Sequence, residues 1–230
     1  MKNLCIIPAR GGSKRIPKKN IIDFLGKPLI AYSIESALGS GIFDEVIISS
    51  NDEEIIKVAC EFGAKAPFVR DEKLSDDYTA STEVIKNAIE LLTQKGEIYD
   101  NVCCLYATAP LISSEILKKA FEKFLENESK FLFSATEFDY PIQRAFHLDE
   151  KNQVYMFDES FYKSRSQDLI KAYHDAGAFY FGKSKAWLET HFMFKPHSSV
   201  YLLPRNLVCD IDTLEDLEFA KILYKLNYTH

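Results

Sequence analysis

The chain has 230 residues, 47% of them apolar, five cysteines and a formal net charge of −6. That length and apolar fraction suit one packed domain. No run approaches the ~18 apolar residues of a membrane helix, and the acidic balance excludes the wide basic face that a nucleic-acid backbone needs.

The first apolar run, residues 4–7, reads as a strand. It empties into Arg10-Gly11-Gly12-Ser13-Lys14-Arg15-Ile16-Pro17-Lys18-Lys19-Asn20, a loop with five cations, two glycines and a hydroxyl. The first twenty-seven residues hold seven lysines and arginines against one acid, so the rest of the chain is strongly acidic. A local cationic pocket on an anionic protein points to a small polyanion such as a nucleoside triphosphate. Glycines 11 and 12 would let backbone N–H groups approach phosphate oxygens as a nest. Arg10 offers a two-pronged clamp, and Lys14 and Lys19 act as point charges. The P-loop spacing and the dinucleotide fingerprint are both missing, which weakens a simple NTPase or a nicotinamide dehydrogenase.

Beyond the loop, helices are expected at 29–38, 53–62, 82–92 and 114–125. They alternate with strands at 46–49, 67–69, 102–106 and 131–135. The helix at 82–92 is clearest, with Val84, Ile85, Ala88, Ile89 and Leu92 on one face. Ser81 or Thr79 would cap it, and Ser113 or Ser114 would cap the next. This alternation predicts an α/β fold, a mostly parallel sheet with helices on both faces. Residues 136–173 are irregular and aromatic, and read as a small β-rich, hairpin-like excursion suited to packing on a second subunit. The sheet resumes at 178–181 and 200–203, and a last helix runs from about 214 to 226. The whole of 1–230 is expected to be one domain. The cysteines (Cys5, Cys60, Cys103, Cys104, Cys209) have no metal spacing and suit a reducing compartment. The early charge argues against a signal peptide, so a cytoplasmic protein is expected.

Asp210-Ile211-Asp212-Thr213 precedes the last helix. On an extended segment, residues two apart face the same way. Asp210 and Asp212 would present two hard oxygen ligands to Mg²⁺ while Ile211 points inward. Thr213 as an N-cap, with the acids serving the helix dipole, explains the same residues.

These pieces together resemble the CMP-sialic acid synthetase family. The resemblance rests on residues 6–20, on Ile48-Ser49-Ser50-Asn51, Phe68-Val69-Arg70, Thr79-Ala80-Ser81, Ala107-Thr108-Ala109-Pro110-Leu111 and Gly177-Ala178-Phe179-Tyr180, and on residues 210–217, in order along the chain. It implies a Rossmann-like nucleotide-diphospho-sugar transferase fold, a homodimer joined through the excursion, and Mg²⁺-dependent transfer of CMP from CTP to a nine-carbon α-keto acid sugar with release of pyrophosphate. It implies nucleotide contacts from Ala9, Arg10, Gly11, Ser13, Lys14, Lys19, Asn20, Arg70, Ser81 and Thr82, with Arg10, Lys14, Lys19 and Asp212 catalytic. Asp210 and Asp212 would hold the metal. Tyr106, Arg144, Arg165, Tyr180 and Phe192 would serve the sugar, Arg165 pairing its carboxylate.

Four departures resemble the branch that takes pseudaminic acid. Tyr106 stands where sialate-activating members carry Gln, Ile112 where they carry Arg, Gln143-Arg144 where a sugar-reaching Lys is expected, and Tyr173-His174-Asp175-Ala176-Gly177 where Arg-Pro-Asn-Gly is usual. A pocket that loses polar groups and gains an aromatic suits a less hydroxylated sugar. N-acetylneuraminic or legionaminic acid are the alternative substrates. A catalytically silent nucleotide-binding regulator is the alternative of another class, and it would have no need of Asp210 and Asp212.

Overall fold

The computed structural model describes residues 1–189 and 192–229. In chain order the strands are β1 (Asn3–Pro8), β2 (Asp23–Phe24), β3 (Lys27–Pro28), β4 (Glu45–Ser49), β5 (Asn101–Leu105), β6 (Phe131–Glu137), β7 (Phe146–Leu148), β8 (Val154–Met156), β9 (Tyr173–Lys183) and β10 (Ser198–Leu202). The helices are α1 (Leu29–Ser40), α2 (Glu53–Glu61), α3 (Ser81–Gln94), α4 (Ser114–Glu126), α5 (Ser184–Glu189) and α6 (Leu214–Tyr228).

Six strands form the central sheet in the order β10-β6-β9-β5-β1-β4. β1 runs parallel to β4 and β5, and β10 runs parallel to β6. β9 is antiparallel to both of its neighbours. The two-residue period of a strand divides the core cleanly. Cys5, Ile7, Cys103 and Leu105 face the layer that holds α1, α2 and α4. Leu4, Ile6, Val102 and Cys104 face α3 and α5. The expected stripe on α3 is buried throughout, at Val84, Ile85, Ala88, Ile89 and Leu92.

A third cluster joins the two ends of the chain. Ile16 from the cationic loop, Phe24, Leu29, Tyr32, Ile211, Leu217 and Ala220 are buried together. Ile16 and Ile211 are both fully enclosed. The loop after β1 and the turn before α6 therefore share one apolar floor, and their charged residues project from it.

Residues 67–69 are not a strand. Close by, Lys65 makes an isolated bridge to Ile47, and Val69 is exposed. Pro67 has no N–H to give a ladder. The segment instead returns Arg70 to the sheet, its N–H bonded to the Ser50 carbonyl at 2.8 Å. Neither expected cap of α3 is made: Ala80 holds the cap position without a side-chain bond. Ser113 does cap α4, and Thr213 caps α6 in a reciprocal box with Asp216. The excursion is a β7–β8 hairpin with short helical turns around it. It leaves later than expected, because β6 and β9 stay paired as far as Glu137 and Tyr173.

Candidate active site

A cleft of about 550 Å³ opens at the C-terminal ends of β1 and β5, where ligands gather in sheets of this kind. The loop after β1 supplies Arg10, Ser13, Lys14, Arg15, Lys19 and Asn20; the opposite wall carries Arg70, Ser81, Tyr106 and Thr108. Asn20 is buried and donates to the Arg10 carbonyl at 3.0 Å, which pins the loop to its own start.

The glycines do not form the expected nest. The Gly11 N–H is committed to Asn51 Oδ1 at 3.2 Å, and the Ser13 N–H to the Gly11 carbonyl at 3.0 Å. Gly11 is required for another reason: a Cβ there would meet Asp52 Oδ2 at 2.6 Å. Asp52 is the N-cap of α2, accepting from the N–H groups of Glu54 and Ile55. The loop and the helix cap thus touch where only a hydrogen fits.

Asp77 binds both Arg10 and Lys14. These hydrogen bonds, first from Lys14 and then from Arg10, hold its carboxyl below the usual carboxylate range. An anion already sits among the cations, in the position a phosphate oxygen could take. Sequence reasoning missed Asp77, because an acid in Asp76-Asp77-Tyr78-Thr79 looks like any solvated turn. The turn itself is tied by Asp76, which accepts from the N–H groups of Tyr78 and Thr79.

Arg70 is 5% exposed, and its Nη2 has no hydrogen-bond partner among the described residues. Its Nε donates to Ser75 Oγ at 3.1 Å. Burial, and then the Arg10 charge, lower its pKa to about 10, so it stays cationic at neutral pH. A buried donor left unpaired is costly. It lines a cleft whose ligand would have to supply acceptors.

Of the two aspartates before α6, Asp212 is tied to the basic loop, and neither lines the cleft itself. Lys19 Nζ donates to the Ile211 carbonyl at 2.7 Å and to Asp212 Oδ1 at 3.2 Å, and Arg15 pairs with the same oxygen at 2.8 Å. Burial, and then Asp212, push the Asp210 carboxyl up. Among the described residues no three or more His, Cys, Asp or Glu side chains cluster as a protein-only metal cage. Two hard carboxylates beside a phosphate-sized cationic cleft nevertheless fit Mg²⁺, which keeps waters and takes substrate phosphates as its other ligands.

Of the other expected site residues, Ala9, Gly11 and Thr82 are outside the lining, Thr82 on α3. Ala9 is buried, with its N–H bonded to the Ser49 carbonyl at 3.0 Å. Tyr106 lines the cleft, whereas Tyr180 packs against it from behind, ring centres 5.4 Å apart. Arg144, Arg165 and Phe192 are not brought to the cleft within the protomer. Arg144 and Arg165 ride on the excursion, Arg165 bonded to Asp168, and Phe192 is exposed beside Phe194.

A family model described as Cytidylyltransferase matches residues 4–229. The chain is 77% identical over 228 residues to a pseudaminic acid cytidylyltransferase of Campylobacter jejuni, covering 99% of this chain and 98% of that protein. It is 31% identical to an N-acylneuraminate cytidylyltransferase of Escherichia coli over 95% of this chain and 51% of that one. Among solved structures, CMP:2-keto-3-deoxy-manno-octonic acid synthetase complexed with CTP superposes with a TM-score of 0.71 at 17% identity, covering 98% of this chain and 99% of that one. That last likeness speaks to the fold.

Proposed function

The chain belongs to the cytidylyltransferase family, a family of nucleotidyltransferases, and from that premise we propose that it transfers CMP from CTP to the anomeric hydroxyl of pseudaminic acid, releasing pyrophosphate. The division of the cleft carries this reading. One end is a set of cations held by the loop after β1, suited to a triphosphate. The other is a hydrogen-bonding wall with the unpaired Arg70 nitrogen, suited to the acceptor edge of a base. Pseudaminic acid as the sugar is supported by the 77% identity with the Campylobacter jejuni enzyme and by Tyr106 on the cleft wall.

In the reaction the sugar hydroxyl attacks the α-phosphorus in line, and pyrophosphate departs. Arg10 and Lys14 hold the outer phosphates, exchanging Asp77 for them. Lys19, fixed by the Ile211 carbonyl, offsets charge that grows on the α-phosphate. Asp210 and Asp212 would hold Mg²⁺, which when bound supplies further neutralisation of the phosphate charge. The excursion exposes Phe146, Leu148, Val154 and Phe157. Exposed apolar side chains on a projecting hairpin support a homodimer in which Arg144 and Arg165 reach the neighbouring cleft.

The test is pyrophosphate release from CTP and Mg²⁺ with pseudaminic or N-acetylneuraminic acid. Release with pseudaminate alone is expected. Release chiefly with neuraminate would keep the reaction and overturn the choice of sugar.

A further inference from the structure

Ser81 opens α3, and a serine at a helix start commonly caps it. Here it does not. Ala80 holds the cap position without a side-chain bond, and Ser81 Oγ lies 2.8 Å from Tyr106 Oη instead. That bond ties the start of a helix to the end of β5, across 25 residues of sequence. Both residues line the cleft, and Val84, one turn further along α3, lines it beside them.

The two partners are not equally free. The Tyr106 backbone is held on both sides: its N–H donates to the Ala178 carbonyl at 2.9 Å, and its carbonyl accepts from Ser33 Oγ at 2.8 Å. Its ring packs on Tyr180 and against both layers of the core. The Tyr180 hydroxyl is spent elsewhere, donating to Asp175 Oδ2 at 2.6 Å. A bulge in β9 brings that carboxylate within reach, for Phe133 on β6 opposes Tyr180 while Ala135 opposes Asp175. The Ser81 backbone is fixed in turn by the buried stripe of α3. What stays soft is the Ser81 side chain, which can turn among three staggered positions. An anchored phenol therefore sets the rotamer of a serine, and not the reverse.

We propose that Tyr106 is a positioning residue for the nucleotide, its hydroxyl holding Ser81 Oγ in one place on the cleft wall so that the base meets a fixed polar atom. This rests on the nucleotide reading above, with the CTP base against Ser81. The two parts of Tyr106 then have separate tasks. The ring supplies the apolar wall that suits the sugar, and the hydroxyl serves the nucleotide through Ser81. A serine already held in place loses little rotational freedom when the base docks, which is how preorganisation raises affinity.

A double-mutant cycle tests it. The dissociation constant of CTP is measured by calorimetry, without sugar acid, on the parent, Tyr106→Phe, Ser81→Ala and the double variant. The KM of pseudaminic acid is measured on the parent and Tyr106→Phe. Tyr106→Phe keeps the ring and should weaken CTP binding by about three- to tenfold, the loss of one hydrogen bond. Ser81→Ala should weaken it at least as much. The double variant should be no weaker than Ser81→Ala alone, because Tyr106 acts only through Ser81. The KM of pseudaminic acid at saturating CTP should be unchanged in Tyr106→Phe. Losses that add in the double variant overturn the positioning role. So does a folded Tyr106→Phe that binds CTP as the parent does while its sugar KM rises, which would give the hydroxyl to the sugar. A parent protein that does not bind CTP overturns the nucleotide reading beneath it.

Discussion

Lys19 and Asp212 meet from opposite ends of the chain, the ammonium lying 3.2 Å from Asp212 Oδ1 while it donates to the Ile211 carbonyl at 2.7 Å. A lysine held by a neutral carbonyl as well as an acid keeps its place when the acid takes another partner. The cationic end of the cleft is therefore built before the substrate arrives, the condition under which fixed charge is most effective on developing charge.

Lys19→Ala should lower turnover by about 10²–10³, the usual effect of removing one preorganised donor. Thermal stability should fall only modestly, because the substitution removes the side chain beyond Cβ with one hydrogen bond to the Ile211 carbonyl and a partly exposed ion pair. A near-normal rate would remove Lys19 from the mechanism.

Metal binding should require nucleotide. Two carboxylates are too few for a protein-only Mg²⁺ site, so titrating Mg²⁺ into the free protein should give no binding heat, and titrating it in the presence of CTP should. Asp212→Ala should lose Mg²⁺-dependent turnover while still binding CTP. Tight Mg²⁺ binding without nucleotide would contradict this arrangement.

Asp77→Asn should bind pyrophosphate and CTP more tightly, by about two- to fivefold, because an internal anion no longer competes for Arg10 and Lys14. The Asp77 carboxyl is held below its usual range. Its pairing is thus complete above pH ~4, where an unfolded aspartate ionises, and is lost only as pH falls through the lower folded value. The gain in affinity should be constant from about pH 6 to 8. Weaker binding in the variant would mean that Asp77 orients the two cations rather than competing for them.

Alkaline conditions should loosen the cleft wall. Burial pushes Tyr106 up to about 12, and burial likewise raises Tyr32 to about 12. Unfolded tyrosines ionise near pH ~10, so above that value the unfolded chain has released protons that the folded one retains, and stability falls with rising pH. Tyr106→Phe should flatten the decline of melting temperature between about pH 10 and 12. An equal slope in parent and variant would show that Tyr106 does not report there. The same shift keeps Tyr106 protonated at neutral pH, so it does not act as a base.

The sheet was legible because its strands obey the two-residue period and its helices bury single stripes. Ile6 and Ile7 already sort to opposite faces in the bare sequence. Residues 67–69 misled because a short apolar run beside a proline has the composition of a strand without the donors to pair as one. The cations from Arg10 to Lys19 could be read because their kinds and spacing carry the chemistry, whereas Arg70 and Ser81 were reached only through the family resemblance. Asp77 could not, since nothing in Asp76-Asp77 distinguishes a counter-ion from a turn. Asp175 was hidden for another reason: its place depends on a bulge between it and the tyrosine it holds. Arg144 and Arg165 were expected at the sugar and lie on the excursion, outside the lining of the cleft.

The shared apolar floor of Ile16 and Ile211 bears on how the protein is made. The loop after β1 leaves the ribosome well before Ile211, Leu217 and Ala220, which complete the floor it shares with Phe24, Leu29 and Tyr32. Until α6 docks, the nascent chain carries a basic loop over half a floor, with neither the Ile211 carbonyl nor Asp212 in place for Lys19. Competence for catalysis therefore waits until α6 has emerged and docked, and a premature stop before residue 211 should leave a sheet that folds around a cleft that does not work.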